Sequence, residues 1–115
     1  MLIFVYGTLK TGRRLHQHLA GSTLAGHAVT RPLYRLFRIG WFPGLIEHKN
    51  GVGVRGELWD VSLDTLKVLD EVEAVDSGLF ERRSIQLAVP FDERAAESYF
   101  YLGDVSEAED CGDCW

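Results

Sequence analysis

The chain has 115 residues, 46% hydrophobic, 25% charged and 11% aromatic, with twelve Lys and Arg against seventeen Asp and Glu. That length fits one domain that buries a core without staples, and that composition excludes a disordered chain. The net charge of −5 argues against a nucleic-acid partner, and no apolar run reaches the ~18 residues needed to span a bilayer.

Charge is unevenly placed. The six bases Lys10, Arg13, Arg14, Arg31, Arg35 and Arg38 precede the first acid, Glu47, and every acid lies after them. Met1–Tyr6 is a continuous apolar run ended by Gly7, which predicts a strand buried on both faces. It has no basic stretch before it and no small-residue cleavage site after it, so it does not read as a signal peptide. Gly7–Gly12 reads as a loop and Arg13–Ala20 as one or two helical turns stopped at Gly21. Thr23–Thr30, Leu33–Ile39 and Val52–Trp59 read as strands, with Pro43-Gly44 as a turn. Ser62–Glu73 is the best helix: Ser62 can cap it and Asp64 lies in its first turn, where a negative charge is favourable. Strands resume at Glu81–Val89 and Ser98–Leu102, and Gly103–Trp115 forms an acidic tail. Many strands and one good helix predict an α+β domain with a small, mixed, barrel-like sheet. The domain spans residues 1–103, and 104–115 is a tail of the same unit or partly disordered. Two cysteines cannot form a disulfide framework, and the expected location is the cytoplasm.

One helix carries a chemical signal. At about 100° per residue, Leu66 and Leu69 define an apolar stripe, and Glu73 falls between them. A carboxyl drawn toward a core is desolvated, which raises its pKa toward the range a general base needs. The bland alternative ends the helix at Val72 and turns Glu73 to solvent or onto an arginine. In Glu81–Val89, alternation puts Arg82 and Arg83 on opposite faces. Arg82 has Glu73 or Glu57 as candidate partners, or is a surface residue.

Other motifs are weaker. Gly7-Thr8-Leu9-Lys10-Thr11-Gly12-Arg13-Arg14 has phosphate-loop spacing but lacks the final lysine and hydroxyl residue. What survives is a turn whose consecutive N–H groups can form an anion or oxyanion nest. Cys111-Gly112-Asp113-Cys114 lies among acids, which disfavours a reactive thiolate. Two cysteines make half a zinc site, and His16 and His18, two apart, do not share a helix face. No metal is expected.

Several segments together resemble the gamma-glutamylcyclotransferase-like family. Tyr6-Gly7-Thr8-Leu9 is similar to its opening Y-G-[ST]-L strand and loop. Phe42-Pro43-Gly44 resembles its central Y-P-G turn and Val54-Arg55-Gly56-Glu57-Leu58 its V-x-G-E-[LVY] strand. Leu69-Asp70-Glu71-Val72-Glu73 matches L-D-x-x-E, Phe80-Glu81-Arg82 resembles Y-x-R, and the tail resembles a G-D-W ending with Cys114 inserted. Leu15, Ala74 and Phe80 depart from the asparagine, glycine and tyrosine common at those positions. The resemblance implies a small mixed barrel flanked by helices, with Glu73 as the catalytic residue. It implies a gamma-glutamyl small-molecule substrate that closes to 5-oxoproline and frees an amine, without a cofactor. Tyr6, Gly7, Thr8, Leu9 and Arg82 are the implied substrate-binding residues. A homodimer is left open. The competing reading is a non-catalytic small-molecule binding module of the same fold, and a third is an interaction protein using the acidic tail.

Overall fold

Leu2–Val5 is apolar at every position because both of its faces are covered. In the computed structural model, which describes all 115 residues, this strand, β1, sits mid-sheet. Leu2 and Phe4 join one core cluster with Leu36, Leu45, Leu58 and Phe100 inside the curl of the sheet. Ile3 and Val5 join a second with Leu66, Leu69, Phe80 and Tyr99, between sheet and helix. Alternating side chains of one strand thus feed two cores.

A short 3-10 turn (His16–Leu19) follows, then β2 (Thr23–Val29), β3 (Tyr34–Ile39), β4 (Phe42–Glu47), β5 (Arg55–Asp60), the helix α1 (Leu63–Val72), β6 (Phe80–Ile85), β7 (Ala96–Tyr101) and β8 (Asp110–Gly112). The sheet runs β2-β5-β1-β7-β4-β3-β8, with β6 also paired to β7. This is a mixed, curled, barrel-like α+β fold, as the sequence predicts. No helix is long and apolar enough to cross a membrane.

The decisive feature is β7, which has three partners. β6 pairs antiparallel along it from Ala96 to Tyr101, so β1 and β4 share its other edge. β1 runs parallel beside Ala96 and Glu97, and β4 runs parallel beside Phe100. Between those contacts the two strands part, and side chains fill the gap. The Ser98 hydroxyl donates to the Phe4 carbonyl at 2.7 Å. The Tyr6 hydroxyl donates to the Tyr99 carbonyl at 2.7 Å and accepts from the Leu45 N–H at 3.3 Å. A crevice where neighbouring strands diverge is the place an open sheet offers a ligand.

Two expectations need correction. Pro43-Gly44 is not a turn: both lie in β4, opposite Arg38 and Phe37. The turn is Gly40-Trp41, where Gly40 has φ +66° and Trp41 does not share the positive φ, the pattern of a type II′ hairpin. Pro43 is tolerated because β4 meets β7 only at Leu45, so the missing N–H costs no ladder bond there. The tail also carries a strand, β8, which pairs with β3. Beyond it the Arg55 N–H donates to the Asp113 carbonyl at 2.8 Å, so residues 110–113 bridge β3 to the start of β5 and help close the curl.

Candidate functional site

The cavity at the parting of β1 and β4 is about 120 Å³ and largely apolar. β1 and the loop after it, the β3–β4 hairpin, the C-terminal end of α1, the start of β6 and Tyr99 of β7 meet there. Gly7 and Pro43 form its tightest seam. A Cβ on Gly7 would lie 2.4 Å from Pro43 Cγ, so this position accepts no side chain. Two of the sequence motifs are therefore the two sides of one contact.

Glu73 reaches the cavity by a route the helical wheel does not describe. The helix is capped at its start as the sequence suggests, with Ser62 Oγ accepting from the Thr65 N–H at 3.1 Å. It ends at Val72, and Glu73 is the C-cap with φ −85° and ψ 6°. The Ala74 N–H donates to the Glu71 carbonyl and the Val75 N–H to the Asp70 carbonyl, both at 3.0 Å. That pair of bonds is a Schellman stop, which requires a left-handed residue after the cap. Ala74 supplies it with φ +53°, a conformation a residue with a Cβ adopts at some cost and glycine without it. The reversal turns Glu73 back into the cavity wall. The residue is half-buried, yet burial alone pushes its pKa from 4.5 up to about 7.

Gly7, Thr8 and Leu9 line the same cavity. Their carbonyls are occupied: Gly7 O accepts from the Lys10 N–H at 3.1 Å, Thr8 O from the Leu15 N–H at 2.8 Å, and Leu9 O bonds His16 Nδ1 at 3.0 Å. Their N–H groups donate to no protein oxygen. The lining thus combines three consecutive residues whose amides have no protein acceptor with a carboxyl of raised pKa.

Glu57 holds that loop in place. It is 6% exposed on β5 and accepts from the Thr11 N–H at 2.8 Å, the Thr11 hydroxyl at 3.2 Å and Trp59 Nε1 at 3.2 Å. Burial pushes its pKa up, but these bonds outweigh that and hold it below the ordinary carboxylate value. Its role is not visible from Glu57 alone; the signal is its pairing across the sheet with Val5, the last residue of β1 before the loop.

Tyr6 and Arg82 stand apart from the loop amides. The Tyr6 ring lines the cavity, but its hydroxyl is engaged with the two backbone groups described above. Burial, then the nearby Glu73 charge, raises its pKa well above the usual phenol value. Arg82 does not line the cavity and pairs with neither Glu73 nor Glu57. Its Nε and Nη2 donate to the two Asp70 oxygens at 2.9 and 3.2 Å, and Nη1 donates to Glu97. The Tyr99 hydroxyl adds a 2.7 Å bond to Asp70. Arg82 therefore clamps α1 to β6 and β7, one turn before Glu73, and its donors are committed to carboxylates.

The remaining candidates have local explanations. His16 lies with its ring centroid 5.4 Å from that of Trp59. Cys111 and Cys114 are free thiols, and burial followed by the Glu109 charge raises the Cys111 pKa.

Comparison with known proteins gives one consistent picture. The family described as gamma-glutamyl cyclotransferase, AIG2-like, matches residues 3–114. A Vibrio cholerae protein provisionally named a gamma-glutamylcyclotransferase is 40% identical over 90 residues, covering 78% of this chain and 74% of that one. The solution structure of the Escherichia coli protein ytfP matches with a TM-score of 0.76 and 28% identity, over 100% of this chain and 96% of that one. The crystal structure of an AIG2-like protein from Mus musculus matches with a TM-score of 0.79 and 27% identity, over 92% of this chain and 80% of that one.

Proposed function

The chain belongs to the gamma-glutamyl cyclotransferase, AIG2-like family, and from that premise we propose that it cleaves a gamma-glutamyl amine or amino acid to 5-oxoproline and the free amine, with Glu73 as general acid and base. One observation carries the proposal: Glu73, at a pKa of about 7, and the acceptor-free amides of Gly7–Leu9 share one cavity.

The chemistry is an internal substitution. The ionised Glu73 takes a proton from the substrate's α-ammonium. The freed amine attacks the γ-carbonyl carbon, a C–N bond forms, and the carbonyl oxygen becomes an oxyanion. Glu73 returns that proton to the departing nitrogen as the original C–N bond breaks, and the second proton of the new ring nitrogen passes through the freed carboxylate to the amine, which leaves as an ammonium. Every atom of both products comes from the substrate, so no water and no cofactor enter the balance. A base near pKa 7 is half ionised at neutral pH and can both take and return the proton.

The loop amides are suited to the oxyanion, and one such donor is worth ~10²–10³ in rate. The apolar wall excludes water and restrains a flexible glutamyl chain. Holding it in its cyclising conformer draws on an orientation effect of up to ~7–11 kcal/mol.

The test incubates the wild type and Glu73→Gln with a panel of gamma-glutamyl conjugates and assays 5-oxoproline. The wild type should release it, and the folded variant should be at least ~10²-fold slower. Wild-type binding without turnover would favour the binding-module reading. A fully active variant would remove Glu73 from the mechanism.

A further inference from the structure

The cavity has a sealed floor and an open, apolar mouth. Its floor is made by Phe4, Tyr6 and Tyr99, all under 10% exposed. Its mouth is different. Trp41, at the tip of the β3–β4 hairpin, is 51% exposed, and Leu79 is 38% exposed; the half-buried Leu15 stands with them. The Trp41 ring packs edge-on against Phe42, with ring centroids 5.2 Å apart, and half of the residue still faces water at the cavity rim, an apolar surface a ligand can cover.

One charge is attached to that mouth. The Arg14 guanidinium lies 4.7 Å from the centroid of the Trp41 ring. Unlike Arg13, which donates to the Trp115 carbonyl at 2.9 Å, Arg14 has no carboxylate or carbonyl partner. Stacking on an aromatic face fixes the plane of a guanidinium while leaving its edge free to take a carboxylate. Glu73 is the only acid in the cavity wall, and the proposed reaction uses it. The lining therefore offers no second carboxylate to a cationic leaving group.

We propose that the mouth formed by Leu15, Trp41 and Leu79 with Arg14 is the leaving-group subsite, and that it selects gamma-glutamyl conjugates of apolar amino acids. The leaving residue's side chain lies against Trp41 and its carboxylate pairs with Arg14. This rests on the cyclotransferase reading above and narrows its substrate class. Arg14 and Trp41 are specificity residues here, since neither carries a proton in the reaction.

The test compares four substrates that differ only in the leaving group: gamma-glutamyl-phenylalanine, gamma-glutamyl-phenethylamine, gamma-glutamyl-glycine and gamma-glutamyl-cadaverine. Values of kcat/KM are taken from 5-oxoproline release. The phenylalanine conjugate should exceed the glycine conjugate by about tenfold or more, as apolar side-chain discrimination allows. It should exceed phenethylamine, which lacks the carboxylate, by roughly fivefold, near the upper limit for an exposed ion pair. Cadaverine, with its free ammonium, should be the poorest of the long leaving groups. Arg14→Gln should bring the phenylalanine-to-phenethylamine ratio to about one, and Trp41→Ala should shrink the phenylalanine-to-glycine ratio. Turnover of all four without this ranking, or an Arg14→Gln variant that keeps the wild-type ratio, overturns the subsite and leaves the cyclotransferase reading standing. No 5-oxoproline from any of the four overturns both.

Discussion

Withdrawing Glu73 from water raises its pKa from 4.5 to about 7, and the same withdrawal weakens the fold wherever the carboxyl is ionised. Below pH 4.5 the group is protonated both folded and unfolded, and burial carries no charge penalty. As the pH rises through 7 the folded carboxyl ionises, and the stability conferred by binding the proton more tightly is lost. At 1.36 kcal/mol per unit the full effect is about 3 kcal/mol at most. Glu73→Gln, which cannot ionise, should therefore be more stable than wild type at pH 8 by about 2–3 kcal/mol, with the gap closing by pH 4.5. Urea unfolding at the two pH values measures this, and an equal gap at both would show that Glu73 is not held as described. At this scale the sequence was half legible. Leu66 and Leu69 correctly mark the buried face of α1, and the wheel isolates Glu73 between them. Yet Glu73 enters the cavity as a cap, after the wheel has ended, through a left-handed turn at Ala74 that periodicity cannot register. The partner of Arg82 was not legible. Asp70, Glu71, Glu73 and Asp76 crowd one stretch of sequence, and the choice of Asp70 depends on how α1 lies against β6 and β7, with Glu97 supplied by the neighbouring strand β7.

The loop from Gly7 to Arg14 is the element on which the proposed site depends, and it has little secondary structure of its own. Glu57 secures it from β5, while Gly7 lies against Pro43. Replacing Glu57 with alanine leaves the buried Trp59 Nε1 without its acceptor, at a cost of about 1–3 kcal/mol, and releases the exposed Thr11 N–H to water. Glu57→Ala should therefore lose roughly 1–3 kcal/mol of stability. It should also lower kcat by tenfold or more, since misplacing positioning groups by about 1 Å can cost ~10² in rate. The pH midpoint of the rate should not move, because Glu73 is untouched. A shifted midpoint with unchanged kcat would assign Glu57 to the proton chemistry. In acid the two carboxyls act in opposite senses: Glu57, held below its ordinary value, loses its stabilising contribution as pH falls through its folded pKa. Within Gly7–Gly12 the amides of Gly7, Thr8 and Leu9 have no protein acceptor, whereas those of Lys10 and Thr11 donate to the Gly7 carbonyl and to Glu57. The hairpin was misplaced because Pro43-Gly44 is the stronger punctuation signal, whereas Gly40-Trp41 makes the turn through a single positive φ.

For the whole molecule, the sheet curls because β7 serves β6 on one edge and splits its other between β1 and β4, and the final residues tie the curl shut. Trp115 packs against the inner core cluster, and the Arg38 guanidinium lies 4.5 Å from the centroid of its ring. A half-buried tryptophan removes on the order of 100 Å² of apolar surface from water, worth about 2–3 kcal/mol. Deleting residues 104–115 should cost at least that, read as a lower urea midpoint. An unchanged midpoint would show that the curl closes without them. Most strands were readable because they alternate or run apolar, but β4 was not, since Pro43-Gly44 within it reads as a turn. β8 was not, since three residues in an acidic stretch carry no period, and its pairing with β3 is decided by tertiary register.

The most direct test of the central claim is the pH dependence of kcat/KM for 5-oxoproline release from a gamma-glutamyl substrate whose leaving group does not titrate between pH 5 and 8. Ionisation of Glu73 should give an acid limb with a midpoint near 7. A rate that stays level from pH 8 down to 5 would contradict the assignment of Glu73 as the base.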